Sequence, residues 1–146
     1  MAFALQEEVL VDELSPEELI IYVCKMMGIE DFEATVREII SEYDLYRCKN
    51  LNLRNCSKTE RKKLSMALSL CIGDSKVVML DDPTADMDVA SKRAMWEIIK
   101  KHKKNRIIIL ATQDMEEAQL VSDRIGLIAH GSLKICGSPK FFATKF

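Results

Sequence analysis

The residues best suited to chemistry stand at the end of one short apolar run. Val77-Val78-Met79-Leu80 is followed at once by Asp81-Asp82-Pro83-Thr84. A buried strand ending in carboxylates delivers them to the C-terminal edge of a sheet, where open α/β sheets hold their ligands. There Asp81 could hold Mg²⁺ through water, and Asp82 could polarise an attacking water. The same residues also read as a strand closed by an aspartate-capped turn. A second apolar run, Ile107-Ile108-Ile109-Leu110, leads to Gln113 at a strand-to-helix turn.

The elements that must position these groups alternate. Ser15-Pro16-Glu17-Glu18 reads as a helix start, with Ser15 as cap, Pro16 in the first turn and Glu18 closing a capping box. Apolar residues then run to Met27, and Gly28 is the stop. Phe32, Val36, Ile39, Ile40 and Tyr43 share one face of a second helix. Residues 44–55 read as a loop. Ser57-Lys58-Thr59-Glu60 begins a third helix, striped by Leu64, Ala67, Leu68 and Cys71. After the Asp81-Asp82 strand come a helix over about 89–104, the strand at 107–110 and a short helix near 114–122. Ile125–Ala129 and Leu133–Cys136 follow as strands. Short β-rich runs alternating with helices predict an α/β sheet that is at least partly parallel.

The 146 residues suffice for one domain with a core, and 48% hydrophobic with 30% charged residues describes an ordinary globular chain. A net charge of −2 argues against nucleic acid held by bulk electrostatics. The longest apolar runs fall far short of a membrane span, and the first residues lack the pattern of a signal peptide. Five cysteines without a C-x-x-C pair fit neither a disulfide framework nor a zinc site, and read as buried free thiols. His102 and His130 have no companion ligands in the sequence. Lys100–Lys104 with Arg106 reads as a solvated helix end, Trp96 as packing, and Met26-Met27 as core or interface filling.

In order along the chain, these motifs resemble the ABC ATPases, and within them the A subfamily of lipid exporters. The strand ending in Asp81-Asp82-Pro83-Thr84 is similar to the family's Walker B motif. Ala85-Asp86-Met87-Asp88 stands at the D-loop, and Ile107 to Ala118 at the switch region. Asp123-Arg124-Ile125, Gly131 and the tail Cys136-Gly137-Ser138-Pro139-Lys140-Phe141-Phe142 follow as they do in the subfamily. Upstream, Gln6-Glu7-Glu8 resembles the Q-loop, and Cys56-Ser57-Lys58-Thr59-Glu60 sits where the L-S-G-G-Q signature belongs. The resemblance runs from about Phe3 to Phe146. It implies a partial P-loop NTPase core with a helical subdomain, residues 1–56 holding the Q-loop and helical subdomain and 57–146 the C-terminal part of the core. It implies ATP and Mg²⁺ as cofactors, with Asp81 for the metal, Asp82 and Gln113 as catalytic positions, and Gln6, Ser57 and Asp88 for nucleotide binding. It also implies two partners, a second nucleotide-binding domain and the transmembrane domains of a parent transporter, and a place on the cytosolic face of a membrane. The isolated chain is expected to be soluble.

Several positions depart from the family pattern. None of the five glycines is followed by lysine, so the phosphate loop G-x-x-x-x-G-K-S/T is missing. Lys58 and Thr59 replace the signature glycines, and Ser57 with Glu60 forms a capping box in its own right. Asp82 stands for a longer glutamate, Gln113 for a histidine and Asp86 for a glycine. These changes predict impaired ATP hydrolysis, or a non-catalytic interaction module. The lost interior strand predicts an exposed sheet edge and self-association, or completion by another segment.

Overall fold

The computed structural model describes residues 1–5 and 10–145. Helix α1 (Pro16–Met26) starts on a complete capping box: Ser15 Oγ accepts the Glu18 amide, and Glu18 accepts the Ser15 amide at 2.8 Å. Helix α2 (Phe32–Glu42) packs beside it and buries Val36, Ile39 and Ile40. The loop at 44–55 is irregular as expected, yet Leu45, Cys48 and Leu53 anchor it in the core, with a single 3₁₀ turn at Leu53–Asn55. Helix α3 (Lys58–Cys71) begins on the second capping box.

Strands β1 (Ala2–Ala4), β2 (Val77–Asp81) and β3 (Ile107–Ala111) form a parallel sheet in that order. Pairing sets Phe3 beside Met79 and Met79 beside Ile109, with Asp81 level with Ala111. The sequence shows no strand at 2–4, because three residues carry no readable period. β1 is held instead by β2 and by Ser69, whose hydroxyl donates to the Phe3 carbonyl at 2.7 Å. Helix α4 (Val89–His102) joins β2 to β3, and α5 (Met115–Val121) follows β3.

The pleat sends alternate residues to opposite faces. Ala4, Val78 and Leu80 are 4%, 0% and 1% exposed, in one core with Leu64, Ala67 and Leu70 of α3 and Met95 and Ile99 of α4. On the opposite face Phe3, Ile107 and Ile109 are 52%, 62% and 51% exposed. Parallel sheets ordinarily carry helices on both faces. Among the described residues this sheet is covered on one.

Strands β4 (Ile125–Ala129) and β5 (Ser132–Gly137) form a separate antiparallel hairpin. His130 and Gly131 both have positive φ, 51° and 70°, as a tight two-residue hairpin turn requires. A last helix, α6 (Pro139–Lys145), forms where the sequence reading has only a family-like tail. Pro139 opens it, and Phe142 is fully buried. One sequence expectation is narrowed and one is corrected. Met26 and Met27, read as core or interface filling, are exposed at the end of α1 and so lie outside the core. Of the five free cysteines only Cys24 and Cys48 are buried, and Cys136 is exposed. No helix among the described residues is long and apolar enough to cross a membrane.

Candidate functional site

Parallel pairing of β2 with β3 ends both strands at one edge. Asp81 is the last residue of β2, exposed, with no hydrogen bond or ion pair engaging its carboxylate among the described residues. Gln113 lies two residues past Ala111, the partner of Asp81, and its exposed amide is likewise unengaged among the described residues. Asp82 turns the chain there in the left-handed region at φ 47°. Its amide donates to the Ala111 carbonyl at 2.8 Å and its carbonyl accepts from Ala85 at 3.2 Å. The first residues after β2 are thereby fastened to the end of β3.

A polar knot supports this turn from below. Thr84 Oγ1 donates to Glu117 Oε1 at 2.8 Å, and the Trp96 indole donates to the same oxygen at 3.0 Å. Glu117 is fully buried, and its Oε2 has no hydrogen-bond partner among the described residues. One carboxylate thus joins the β2–α4 turn, α4 and α5. Beside it Lys92 donates to Asp114 at 2.7 Å, while Asp114 also caps α5 through the amides of Glu116 and Glu117. The lysine hydrogen bond holds Asp114 below the usual carboxylate range, and Asp114 in turn raises Lys92. Lys62 of α3 donates to the Ala85 carbonyl at 2.9 Å, so α3 also grips the turn.

The remaining expected positions lie elsewhere or are engaged. Gln6 lies outside the described residues. Ser57 caps α3: its amide and hydroxyl donate to Glu60 at 2.8 and 2.7 Å, and its Oγ accepts the Glu60 amide at 3.2 Å. Burial would raise the Glu60 carboxyl, but the Ser57 bonds outweigh it and the net shift is downward. Asp88 caps α4, accepting from Ala90 and Ser91 amides at 3.0 Å and from the Ser91 hydroxyl at 2.6 Å; these bonds lower its pKa. Asp86 takes φ 62°, a turn conformation that aspartate tolerates.

Sequence reasoning missed the Glu117 knot and the Lys92–Asp114 pair, since neither follows a local spacing. It also left His102 without companions. The structure corrects this: Glu42 and Cys71 stand beside it, brought in from α2 and α3. Trp96 is a packing residue as read, with a polar handle in addition.

No protein-family profile matches the chain. Over 138 residues, 93% of its length, it is 37% identical to ATP-binding cassette sub-family A member 2 of Rattus norvegicus, and equally to that of Homo sapiens. Over 143 residues, 97% of its length, it is 34% identical to the phospholipid-transporting ATPase ABCA3 of Mus musculus. The chain spans only 6% to 8% of the length of these relatives. The ordered motifs and this identity agree, and the chain is homologous, along nearly all of its length, to a segment of the A-subfamily ATP-binding cassette transporters.

Proposed function

We propose that the chain forms the C-terminal part of an ATP-binding domain serving a lipid transporter, and that hydrolysis is impaired at its site. The observation that carries this reading is the placement of Asp81 at the end of β2 and of Gln113 two residues past the paired end of β3, both exposed and unengaged among the described residues. Asp81 fits a water-mediated hold on Mg²⁺, because a free carboxylate at a sheet's C-terminal edge is the donor such a hard cation takes. When bound, Mg²⁺ supplies charge neutralisation on a triphosphate. Gln113 would donate to a phosphate oxygen. Asp82 would orient water with an arm one methylene short of glutamate, at a position where proton transfer depends on reach.

A sheet face uncovered, and a β3 edge unpaired, among the described residues favour completion by a strand–helix segment bearing a glycine-rich phosphate loop, which this chain's own glycines do not provide. In that setting the partners are a second nucleotide-binding domain and the transmembrane domains, at the cytosolic face of a membrane. A second reading, an interaction module without nucleotide chemistry, is favoured by the caps. Ser57 and Asp88 already spend their side chains on helix starts.

Calorimetry with Mg-ATP separates the two. The chain alone is expected to show no saturable micromolar binding. Mixed with the phosphate-loop segment of a relative, it is expected to bind without appreciable turnover, and Asp81→Ala is expected to abolish that binding. No binding in the mixture would favour the interaction module. Turnover comparable to an intact cassette would overturn the impairment.

A further inference from the structure

Glu42, Cys71 and His102 are each the last residue of a helix, α2, α3 and α4 respectively. Those three ends converge. His102 Nε2 lies 3.4 Å from Glu42 Oε2 and 3.7 Å from Cys71 Sγ, and Cys71 Sγ lies 3.8 Å from Glu42 Oε2. We propose that these three side chains form a zinc site, independent of the nucleotide edge, that staples α2 to α3 and α4 with water as fourth ligand.

The spacing is the first argument. Zinc bonds of about 2.3 Å to sulfur and about 2.0–2.2 Å to nitrogen or oxygen, in a tetrahedron, separate the ligand atoms by about 3.3–3.6 Å. The observed triangle needs only a few tenths of an ångström of contraction. As direct bonds the same contacts are poor. A 3.4 Å separation of imidazole and carboxylate exceeds the roughly 2.7–2.9 Å of a charge-assisted hydrogen bond. The three atoms are spaced to share a central ion better than to bond one another.

The surroundings are the second argument. A helix C-terminus carries about half a negative charge, and three such ends meet here. Lys101 holds Glu42 by its other oxygen, Oε1, leaving Oε2 turned to the cluster, as an outer partner orients a metal ligand. The Tyr43 hydroxyl lies 3.5 Å from Cys71 Sγ and can donate to a thiolate. Burial would raise Glu42, but Lys101 and His102 draw it down on balance, so it offers an ionised oxygen. Lys101 and Arg106 are the nearby cations that oppose a metal. Cys71 releases its thiol proton on binding, and burial, which holds that thiol up at about 11, is the main cost to overcome. The side chains of His102 and Glu42 are 18% and 20% exposed, and Glu42 also lines an open groove of about 640 Å³ together with Arg37 and Lys101.

A second trio, Cys48, Cys56 and Glu60, also gathers within ligand range. There Glu60 Oε2 is committed to the Ser57 cap. That trio therefore serves as the internal control.

Cobalt(II) substitution in the full chain tests the site. One equivalent of Co²⁺ should give the visible bands of a tetrahedral centre and a thiolate charge-transfer band, and Zn²⁺ should displace it. Cys71→Ser should remove the charge-transfer band, and His102→Asn should weaken Zn²⁺ binding at least tenfold. Cys48→Ser should change neither. Absence of tetrahedral bands in the unsubstituted chain overturns the proposal without recourse to any variant. So does a spectrum that survives Cys71→Ser and disappears in Cys48→Ser.

Discussion

The two faces of the three-stranded sheet are built from equally apolar side chains and meet opposite fates. Ala4, Val78 and Leu80 are sealed under α3 and α4, whereas Phe3, Ile107 and Ile109 stand open to water. Strand composition is therefore no guide to burial within this chain. An apolar residue on each side of a strand marks a sheet suited to lie between two layers. Among the described residues one such layer is present, over the face of Ala4, Val78 and Leu80.

Paired truncations give the largest contrast. Leu80→Ala should cost about 2–5 kcal/mol in urea denaturation, from lost burial and a residual cavity. Ile109→Ala should cost roughly 0.5 kcal/mol or less, the range of surface changes. Comparable losses would mean that the outer face is covered in solution. Glu117→Ala comes next, at about 1–3 kcal/mol, because it orphans the buried Thr84 and Trp96 donors. A negligible effect there would break the view of the covered side as a fixed platform for the turn after β2.

The open face has its own test. Ile109→Lys should leave stability within about 0.5 kcal/mol and lower the sedimentation coefficient of any associated species toward the monomer. Association that persists would assign it to another surface. The smallest effect concerns pH. Asp114 has a lowered folded pKa, so its pairing with Lys92 stabilises the fold above the ordinary aspartate range and is lost as pH falls through the folded value. Lys92→Met should flatten stability across that acid window by roughly 0.2–1 kcal/mol. An unchanged acid limb would show that the pair is not formed in solution.

Local rules made much of this fold legible. Ser15-x-x-Glu18 and Ser57-x-x-Glu60 mark two helix starts, and both capping boxes form. The apolar runs before Asp81 and Gln113 mark two strands of a sheet expected to be partly parallel, and the structure adds that the two are parallel neighbours. What was not legible depends on tertiary convergence. β1 is three residues long and exists through its neighbours. Glu42, Cys71 and His102 are separated by 29 and 31 positions, and only the packing angles of three helices bring their ends together. Met26 and Met27 read as filling because hydrophobicity does not report which end of a helix the core reaches.

The left-handed backbone at Asp82 has a consequence for how freely this position can change. Aspartate is among the few residues that enter that region easily, and others pay roughly 1–2 kcal/mol there. Substituting glutamate would lengthen the arm but strain the turn bonded to Ala111 and Ala85. Side-chain chemistry and main-chain geometry are locked together at this residue. An Asp82→Glu substitution alone would therefore run uphill, and a longer carboxylate here would need accompanying adjustment in the loop that follows.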